Sequence, residues 1–500
     1  MIQTTDVRLL RRAVLGTLPP MNWLDKLSQF WPHLLAGFHV CSAVLCSIHA
    51  LLHKRDTRAV TLWIAVVWMI PIFGPILYLS LGINRIRRRA ILLGVHKTFV
   101  RPVGNKFDEQ LYERAGSLQM MARIVSRVTG RPLLPGNKIE PLINGDEAFP
   151  AMLAAIESAT KSVSLMTYIF DNDTSGRQFA DALARAVERG VAVRVLIDAA
   201  GTRYTFPPIT WGLRRKGVRY AKFLPASLFQ PWRVATLNLR NHRKALVVDG
   251  RVAFTGGMNI RQGNVLKTAT KGQVQDLHFR VDGPLVMQLQ EAFANDWAFV
   301  TREVLNSEIW FPESSGCGGV LGRVIMDGPD GDFEKLRWTL LAALKEAQTS
   351  VRIVTPYFIP DETLITALNL AALRGVKVDI ILPEQNNLPY VNWGSRAMWW
   401  QVLQRGCHIW LTRPPFDHSK LMIVDGLWVL CGSANWDSRS LRLNFELNIE
   451  CYDRDFANKM EAVVQRKLIG AREISLAEAD SRSFFVKIRD AAARLFAPYL

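Results

Sequence analysis

At 500 residues, with a net charge of +18 and six cysteines, the chain is long enough for two or three domains with apolar cores of their own. Cys41, Cys46, Cys317, Cys407, Cys431 and Cys451 form no CxxC pair, which argues against a disulfide or metal framework and reads them as reduced, buried, small apolar side chains. The basic balance points to an anionic partner, either nucleic acid or an acidic lipid surface.

In chain order, a basic tail at 1–29 is followed by two apolar runs, 30–52 and 59–81. Each exceeds the ~20 residues needed to cross ~30 Å of hydrocarbon, so 30–81 is predicted to hold two transmembrane helices. Both are too long for a cleaved signal peptide. His33, His39 and His49 interrupt the first run and leave a re-entrant or buried segment as the alternative. "PIFGP" at 71–75 predicts a kink or break in the second, because proline removes a main-chain donor. Arg8, Arg11, Arg12, Lys26, Arg85, Arg87, Arg88, Arg89, Lys97 and Arg101 flank the outer ends, against Lys54, Arg55 and Arg58 in the loop between. That bias predicts both ends, and the domain that follows, on the cytoplasmic side.

A polar connector, 82–138, leads into alternating helix and strand patterns of an α/β protein. "SVSLMTYIFDND" at 162–173 is echoed by "SVRIVTPYFIPD" at 350–361, and "LARAVERGVAVRVLID" at 183–198 by "LNLAALRGVKVDIILP" at 368–383. Each reads as a β-branched strand, then a helix stopped by Gly190 or Gly375 and a buried strand. The repeat defines a first half, 139–313, a glycine-rich linker, 314–322, and a second half, 323–475. Tyr168 and Tyr357, like Gly217 and Gly406, lie 189 positions apart, but His242 and His418 only 176. The first half therefore carries a 13-residue insertion before His242, with Phe223, Leu228, Phe229, Trp232, Leu237 and Arg233 in or around it. Its aromatic and basic character predicts a loop at the active-site mouth touching a membrane interface, with a loop folded on the core as the alternative. At 476–500 an amphipathic helix is predicted, with Phe485, Ile488, Ala492, Leu495, Phe496 and Tyr499 at helical spacing, packed on the core or lying at a membrane surface.

The densest signal is "NHRKALVVDGRVAFTGGMN" at 241–259, repeated as "DHSKLMIVDGLWVLCGSAN" at 417–435. His242 and Lys244 share one strand face, as do His418 and Lys420. Asp249-Gly250 and Asp425-Gly426 are hairpin turns. A two-residue turn pairs His242 with Gly257 and His418 with Ser433, and sets Asn259 and Asn435 beside the imidazoles. A histidine, a lysine and an amide around one gap suit a tetrahedral phosphate, on which histidine can form a covalent intermediate. Asp276 and Glu446 follow the two motifs and are candidates to orient the histidines, with a structural salt bridge as the alternative. Asp249 and Asp425 suit a turn-supporting role better than proton transfer. No metal or cofactor is implied, since ammonium and amide groups are poor ligands and no HExxH is present.

At these residues the sequence resembles the phospholipase D superfamily, whose signature is a duplicated H-x-K-x(4)-D-x(6)-G-[SG]-x-N, over roughly 140–470. "LWIAVVWMIPIFGPILYLSLGINRIRRR" is similar to the membrane segment of bacterial cardiolipin synthases, and "GSANWDSRSLRLNFELN" to their second motif region. The resemblance implies an α/β fold of two pseudo-symmetric phospholipase D-like halves, each a mixed β-sheet flanked by helices, preceded by an N-terminal transmembrane helical hairpin. It implies His242 as nucleophile and His418 as acid/base, with the reverse order left open by the pseudo-symmetry, and with Lys244, Lys420, Asp249 and Asp425 completing the catalytic motifs and Gly257, Asn259, Ser433 and Asn435 binding phosphate. Gly257, where serine is commoner, removes one phosphate donor. The implied reaction transfers a phosphatidyl group to phosphatidylglycerol at the inner membrane of a bacterial cell, with phosphatidylglycerol or phosphatidylethanolamine as donor. Hydrolysis by water is the alternative. A nucleic-acid phosphodiesterase is disfavoured by the apolar N-terminus, and a silent scaffold by two intact motifs; oligomeric state is left open.

Overall fold

The structure, a computed structural model, describes residues 23–54, 57–82, 109–225, 239–329 and 332–496. The chain separates into two compact units, Met1–Arg85 and Ile86–Leu500.

The first unit bears out the break expected in the second apolar run and shows, among the described residues, one helix of membrane length. A helix runs over Trp23–His53, and its segment Phe30–His53 is long and apolar enough to cross a membrane. The second run is not one helix. It is helical over Thr57–Met69, turns through Pro71 with Ile72 at φ 63°, and resumes as Phe73–Leu77 and a π-turn, Tyr78–Gly82. Thirteen residues span only ~20 Å at ~1.5 Å each, short of the hydrocarbon thickness. The two prolines cause the break. The pieces still pack together: Trp68 Nε1 donates to Ser47 Oγ (3.1 Å) and His49 Nδ1 meets Tyr78 Oη (2.8 Å). Nearly all the basic residues from which orientation was read, at 1–22 and 83–108, lie outside the described residues.

In the second unit the first half supplies β1 (Leu134–Ile143), β2 (Ser162–Thr167), β3 (Ala192–Asp198), β4 (Tyr220–Phe223), β5 (Ala245–Val248), β6 (Val252–Gly256), β7 (Val274–Gln275) and β8 (Leu277–Asp282). The second supplies β9 (Val320–Asp327), β10 (Ser350–Val354), β11 (Phe358–Ile359), β12 (Lys377–Pro383), β13 (His408–Thr412), β14 (Phe416–Asp417), β15 (Leu421–Val424), β16 (Trp428–Gly432), β17 (Trp436–Asp437), β18 (Glu446–Tyr452) and β19 (Arg472–Ile474). One mixed sheet of fifteen strands runs β19-β13-β12-β10-β15-β16-β18-β9-β1-β8-β6-β5-β2-β3-β4. The repeat is visible in it: β2, β3 and β4 are parallel, as are β10, β12 and β13. Each triplet leads into an antiparallel motif hairpin, β5–β6 or β15–β16.

Local chemistry fixes these units. Asp173 and Asp361 cap the crossover helices Thr174–Glu188 and Glu362–Leu373 by accepting from Gly176 N and Leu364 N. Gly190 (φ 85°) and Gly375 (φ 89°) end them in the left-handed region. The halves meet where β1 pairs with β9 and share a core in which Phe223, Phe279, Phe293 and Trp297 pack with Phe445, Leu447, Ile449 and Phe456. Burying such a side chain is worth ~1.5–3 kcal/mol, so the seam is core rather than hinge.

Four further expectations meet the structure here. Cys46, Cys407, Cys431 and Cys451 are buried as expected, but Cys41 and Cys317 are exposed. Part of the stretch read as connector is folded: Tyr112, Leu118, Met121 and Val125 pack with Leu336 and Leu340 of the second half. Phe223, assigned to the insertion, ends β4 and is fully buried against Phe299 and Phe445. Leu228, Phe229, Trp232, Arg233 and Leu237 lie outside the described residues.

Candidate active site

The motif hairpins turn one residue later than expected. Asp249 (φ 52°) and Gly250 (φ 61°) are both left-handed, but Val248 pairs with Val252 and Ala245 with Thr255, leaving Arg251 as an extra residue in the loop. In the second hairpin Val424 pairs with Trp428 and Leu421 with Cys431. His242 and His418 therefore do not face Gly257 and Ser433 across a ladder, since a one-residue slip reverses every face. Both histidines instead sit before the hairpin strands, on segments docked to the opposite half.

That docking is done by backbone. His242 N donates to Phe445 O (2.9 Å) and His418 N to Gln275 O (2.8 Å), while β14 lies parallel to β7. Phe445 and Gln275 immediately precede Glu446 and Asp276. Main-chain register thus delivers each acid to the histidine of the other half: His242 Nδ1 to Glu446 Oε2 at 3.1 Å, and His418 Nδ1 to Asp276 Oδ2 at 2.8 Å. With Nδ1 donating to a carboxylate, Nε2 is the nitrogen each ring can offer to a reacting group.

The environments of the two acids differ. Glu446 also accepts from Ser433 Oγ (2.5 Å) and Asn444 Nδ2 (3.0 Å). Burial works to raise its pKa, but His242, Lys244 and Ser433 outweigh that and hold it below the usual carboxylate value. Asp276 has Leu277 N as its other donor (2.8 Å), and burial pushes it up to about 6 against the pull of Lys420. Burial lowers both histidines, His242 with Glu446 opposing and His418 further, with Lys420 and Lys244 adding to the effect.

Lys244 and Lys420 are almost fully buried, each donating Nζ to the carbonyl of its own histidine, at 2.6 Å for Lys244. Burial brings Lys244 down to about 7 and Lys420 to about 8. Gly257 and Ser433 face the acids: a Cβ at Gly257 would lie 2.4 Å from Asp276 Oδ1, so the missing serine is a steric requirement of this half. Asn259 Oδ1 accepts from Ile169 N (3.1 Å), and Asn435 Nδ2 donates to Ser440 Oγ (3.1 Å). Asp249 and Asp425 stand at the far ends of the hairpins. Asp249 accepts from the main-chain N–H groups of Thr160, Lys161 and Ser162, and Asp425 from those of Gln348, Thr349 and Ser350. Among the described residues neither pairs with a lysine or histidine side chain.

A cavity of about 580 Å³ opens over the histidines, with Asn259, Asn435 and Asp276 in its wall. Tyr168 and Tyr357 flank the imidazoles, with ring centroids 5.1 Å from His242 and 6.3 Å from His418. Three arginines that the motif pattern had not singled out also line it: Arg261, paired with Asp171, and Arg240 and Arg439. Their signal in the sequence was proximity alone: Arg261 lies two residues after Asn259, Arg240 two before His242 and Arg439 four after Asn435. Among the described residues no group of His, Cys, Asp and Glu is arranged to hold a metal.

Two interleaved halves that exchange carboxylates between a pair of His-x-Lys motifs define a phospholipase D-type catalytic unit. A family model described as "Cardiolipin synthase, PLD-like domain" matches residues 152–297 and 340–468, and one described as "Phospholipase_D-nuclease N-terminal" matches 42–82. The chain belongs to the phospholipase D superfamily. It is 32% identical to "Cardiolipin synthase" of Geobacillus sp. (strain WCH70), over 98% of this chain and 99% of that one. It is 28% identical to "Cardiolipin synthase" of Listeria monocytogenes serotype 4a (strain HCC23), over 94% and 99%. Phosphatidylserine synthase of Haemophilus influenzae Rd KW20 shares the fold, with TM-score 0.60 at 16% identity over 76% of this chain and all of the other.

Proposed function

We propose that the protein is a membrane-bound phosphatidyltransferase that makes cardiolipin from phosphatidylglycerol through a phosphohistidine. In the first step His242 Nε2 attacks the donor phosphorus; a P–N bond forms as the bond to the headgroup oxygen breaks, and His418 gives that oxygen its proton. In the second, His418 takes the proton of a phosphatidylglycerol hydroxyl, whose oxygen forms the new P–O bond as P–N breaks. The crossed histidine–carboxylate pairs carry this reading, because they make one site from two motifs. The acid beside each histidine supports this assignment of roles. A phosphorylated imidazole carries positive charge, which suits the ionised, triply hydrogen-bonded Glu446 beside His242. A proton donor must release its proton, which suits the weaker partner Asp276. Lys244, Lys420, Asn259, Asn435, Arg240 and Arg439 would hold the phosphate oxygens and steady developing charge. No cofactor enters this scheme. The bacterial inner membrane and the cytoplasmic side belong to the same reading.

The test is mass spectrometry of lipid products after incubation with phosphatidylglycerol alone, then with phosphatidylethanolamine added. Cardiolipin with release of glycerol supports the proposal, and greater yield with phosphatidylethanolamine identifies a second donor. Phosphatidic acid as the dominant product would replace it with hydrolysis. Acid quench during turnover should trap a phosphatidyl group on His242; trapping on His418 would reverse the roles.

A further inference from the structure

The cavity opens at one end of the sheet. Tyr168, Tyr204, Tyr357 and Tyr390 line it, and they follow the carboxyl ends of β2, β3, β10 and β12 respectively. Beyond them, each half carries large apolar side chains turned to solvent.

In the first half the path runs from His242 to Tyr168 to Tyr204, with ring centroids 5.1 and 6.4 Å apart. The same loop then presents Phe206, 87% exposed, and the helix that follows it, Ile209–Arg215, presents Trp211, 55% exposed, in edge contact at 5.7 Å. In the second half it runs from His418 to Tyr357, whose hydroxyl donates to Asn387 Oδ1 (2.8 Å), and on to the helix Pro389–Arg396. Against that helix packs another, Phe484–Arg494.

This last helix is docked the wrong way round for a protein in water. Its buried residue is Asp490, paired with Arg482 (2.5 Å) and Arg489 (2.7 Å), and the Arg489 guanidinium lies 4.6 Å from the Trp393 ring centre. Phe484, Phe485, Ile488, Leu495 and Phe496 are the exposed ones, with Phe485 at 81%. A helix that buries its polar side and exposes its apolar side has a second apolar phase to meet. Exposed Arg203, Lys487 and Arg494 stand among these side chains, so the surface suits an apolar layer bordered by negative charge. A chain that carries a membrane-length helix has such a phase at hand.

We propose that the mouth of the cavity is a bilayer-docking face, with Phe206 and Trp211 from one half and Phe484, Phe485, Ile488 and Phe496 from the other entering an anionic lipid surface. The cavity then opens into the headgroup layer, and a diacyl lipid reaches the histidines without passing through water. Only the kinetic arm of the test below rests on the proposed reaction.

Phe206 and Phe485 are each replaced by a benzophenone-bearing phenylalanine analogue in the full chain, reconstituted into vesicles of phosphatidylglycerol and phosphatidylcholine. Lys377, exposed at the opposite end of β12, serves as control. Illumination should give lipid adducts at 206 and 485 and none at 377, also in a His242→Ala background, where the enzymatic reading has no bearing. Adducts to protein instead of lipid, or equal labelling at all three positions, would overturn the proposal. In the kinetic arm, Phe206→Ser combined with Phe485→Ser should raise KM for lipid in vesicles about fivefold or more and leave turnover of a short-chain, monomeric phosphatidylglycerol unchanged. Equal losses on the two substrates would count against it.

Discussion

Replacing Glu446 with glutamine removes one charge without opening a cavity, and the roles proposed for the two histidines say which half of the reaction should suffer. Glu446 Oε2 accepts from His242 and Ser433, and Oε1 from Asn444 Nδ2. A glutamine can keep its oxygen toward His242 because Asn444 Oδ1, buried with no partner, can accept the new amide once Asn444 flips. Folding should therefore survive. What is lost is the charge on one charge-assisted hydrogen bond, worth ~1.5–3 kcal/mol, or about 10- to 150-fold in kcat at ~1.4 kcal/mol per decade. Although Glu446 belongs to the second half, its loss should reproduce loss of His242 and slow phosphoenzyme formation. Asp276→Asn should instead impair His418. The assay is stopped-flow release of p-nitrophenol from a phosphatidyl-p-nitrophenol, whose leaving group departs without a proton. Asp276→Asn should keep a near-normal burst on this substrate while failing on phosphatidylglycerol, and Glu446→Gln should be slow on both. The opposite pattern would reverse the roles, and identical behaviour of the two variants would refute any division of labour by the crossed acids.

Rising pH should lower kcat/KM through a range near 7 to 8, because Lys244 and Lys420 lose their charge there. Bound phosphodiester favours the charged lysines, so kcat should hold to higher pH; a kcat/KM that is flat or rising across this range would contradict their electrostatic role. Asp249→Ala removes the acceptor for three main-chain N–H groups and should cost about 2–4 kcal/mol in chemical denaturation. Turnover per folded molecule should stay within about twofold, since His242 lies seven residues away, ~20 Å along an extended chain; a large loss of kcat would return Asp249 to the chemistry. Activity should persist in excess EDTA, as two buried lysines supply the positive charge, and loss of activity restored by Mg²⁺ or Zn²⁺ would disprove this.

The repeat and the paired His-x-Lys hairpins were legible because they rest on short-range periodicity and turn chemistry. Asp276 and Glu446 could be named as partners for the histidines, but not which partner served which. Sequence spacing measures distance within a half, whereas the crossing is set by backbone pairing of Asn241–His242 with Phe445 and of Asp417–His418 with Gln275. Register failed by one residue because Asp-Gly specified two left-handed turn positions while Arg251 and Leu427 each added a third to the loop. The second apolar run had the composition of a span, and its two prolines signalled the break that hydropathy alone conceals. The helix Phe484–Arg494 was legible as amphipathic, yet only the ion pairs of Asp490 reveal which side faces inward.

Neither half, cut out as a monomer, could contain a complete histidine–carboxylate pair. A single-motif ancestor built on this plan could have worked only as a twofold dimer, each copy lending its acid to its twin. Joining the copies in one polypeptide through the β1–β9 seam released them from identity. Asp276 with Gly257 and Glu446 with Ser433 are then solutions that identical twins could not have held apart, and through them one imidazole can specialise in holding a covalent bond while the other trades protons.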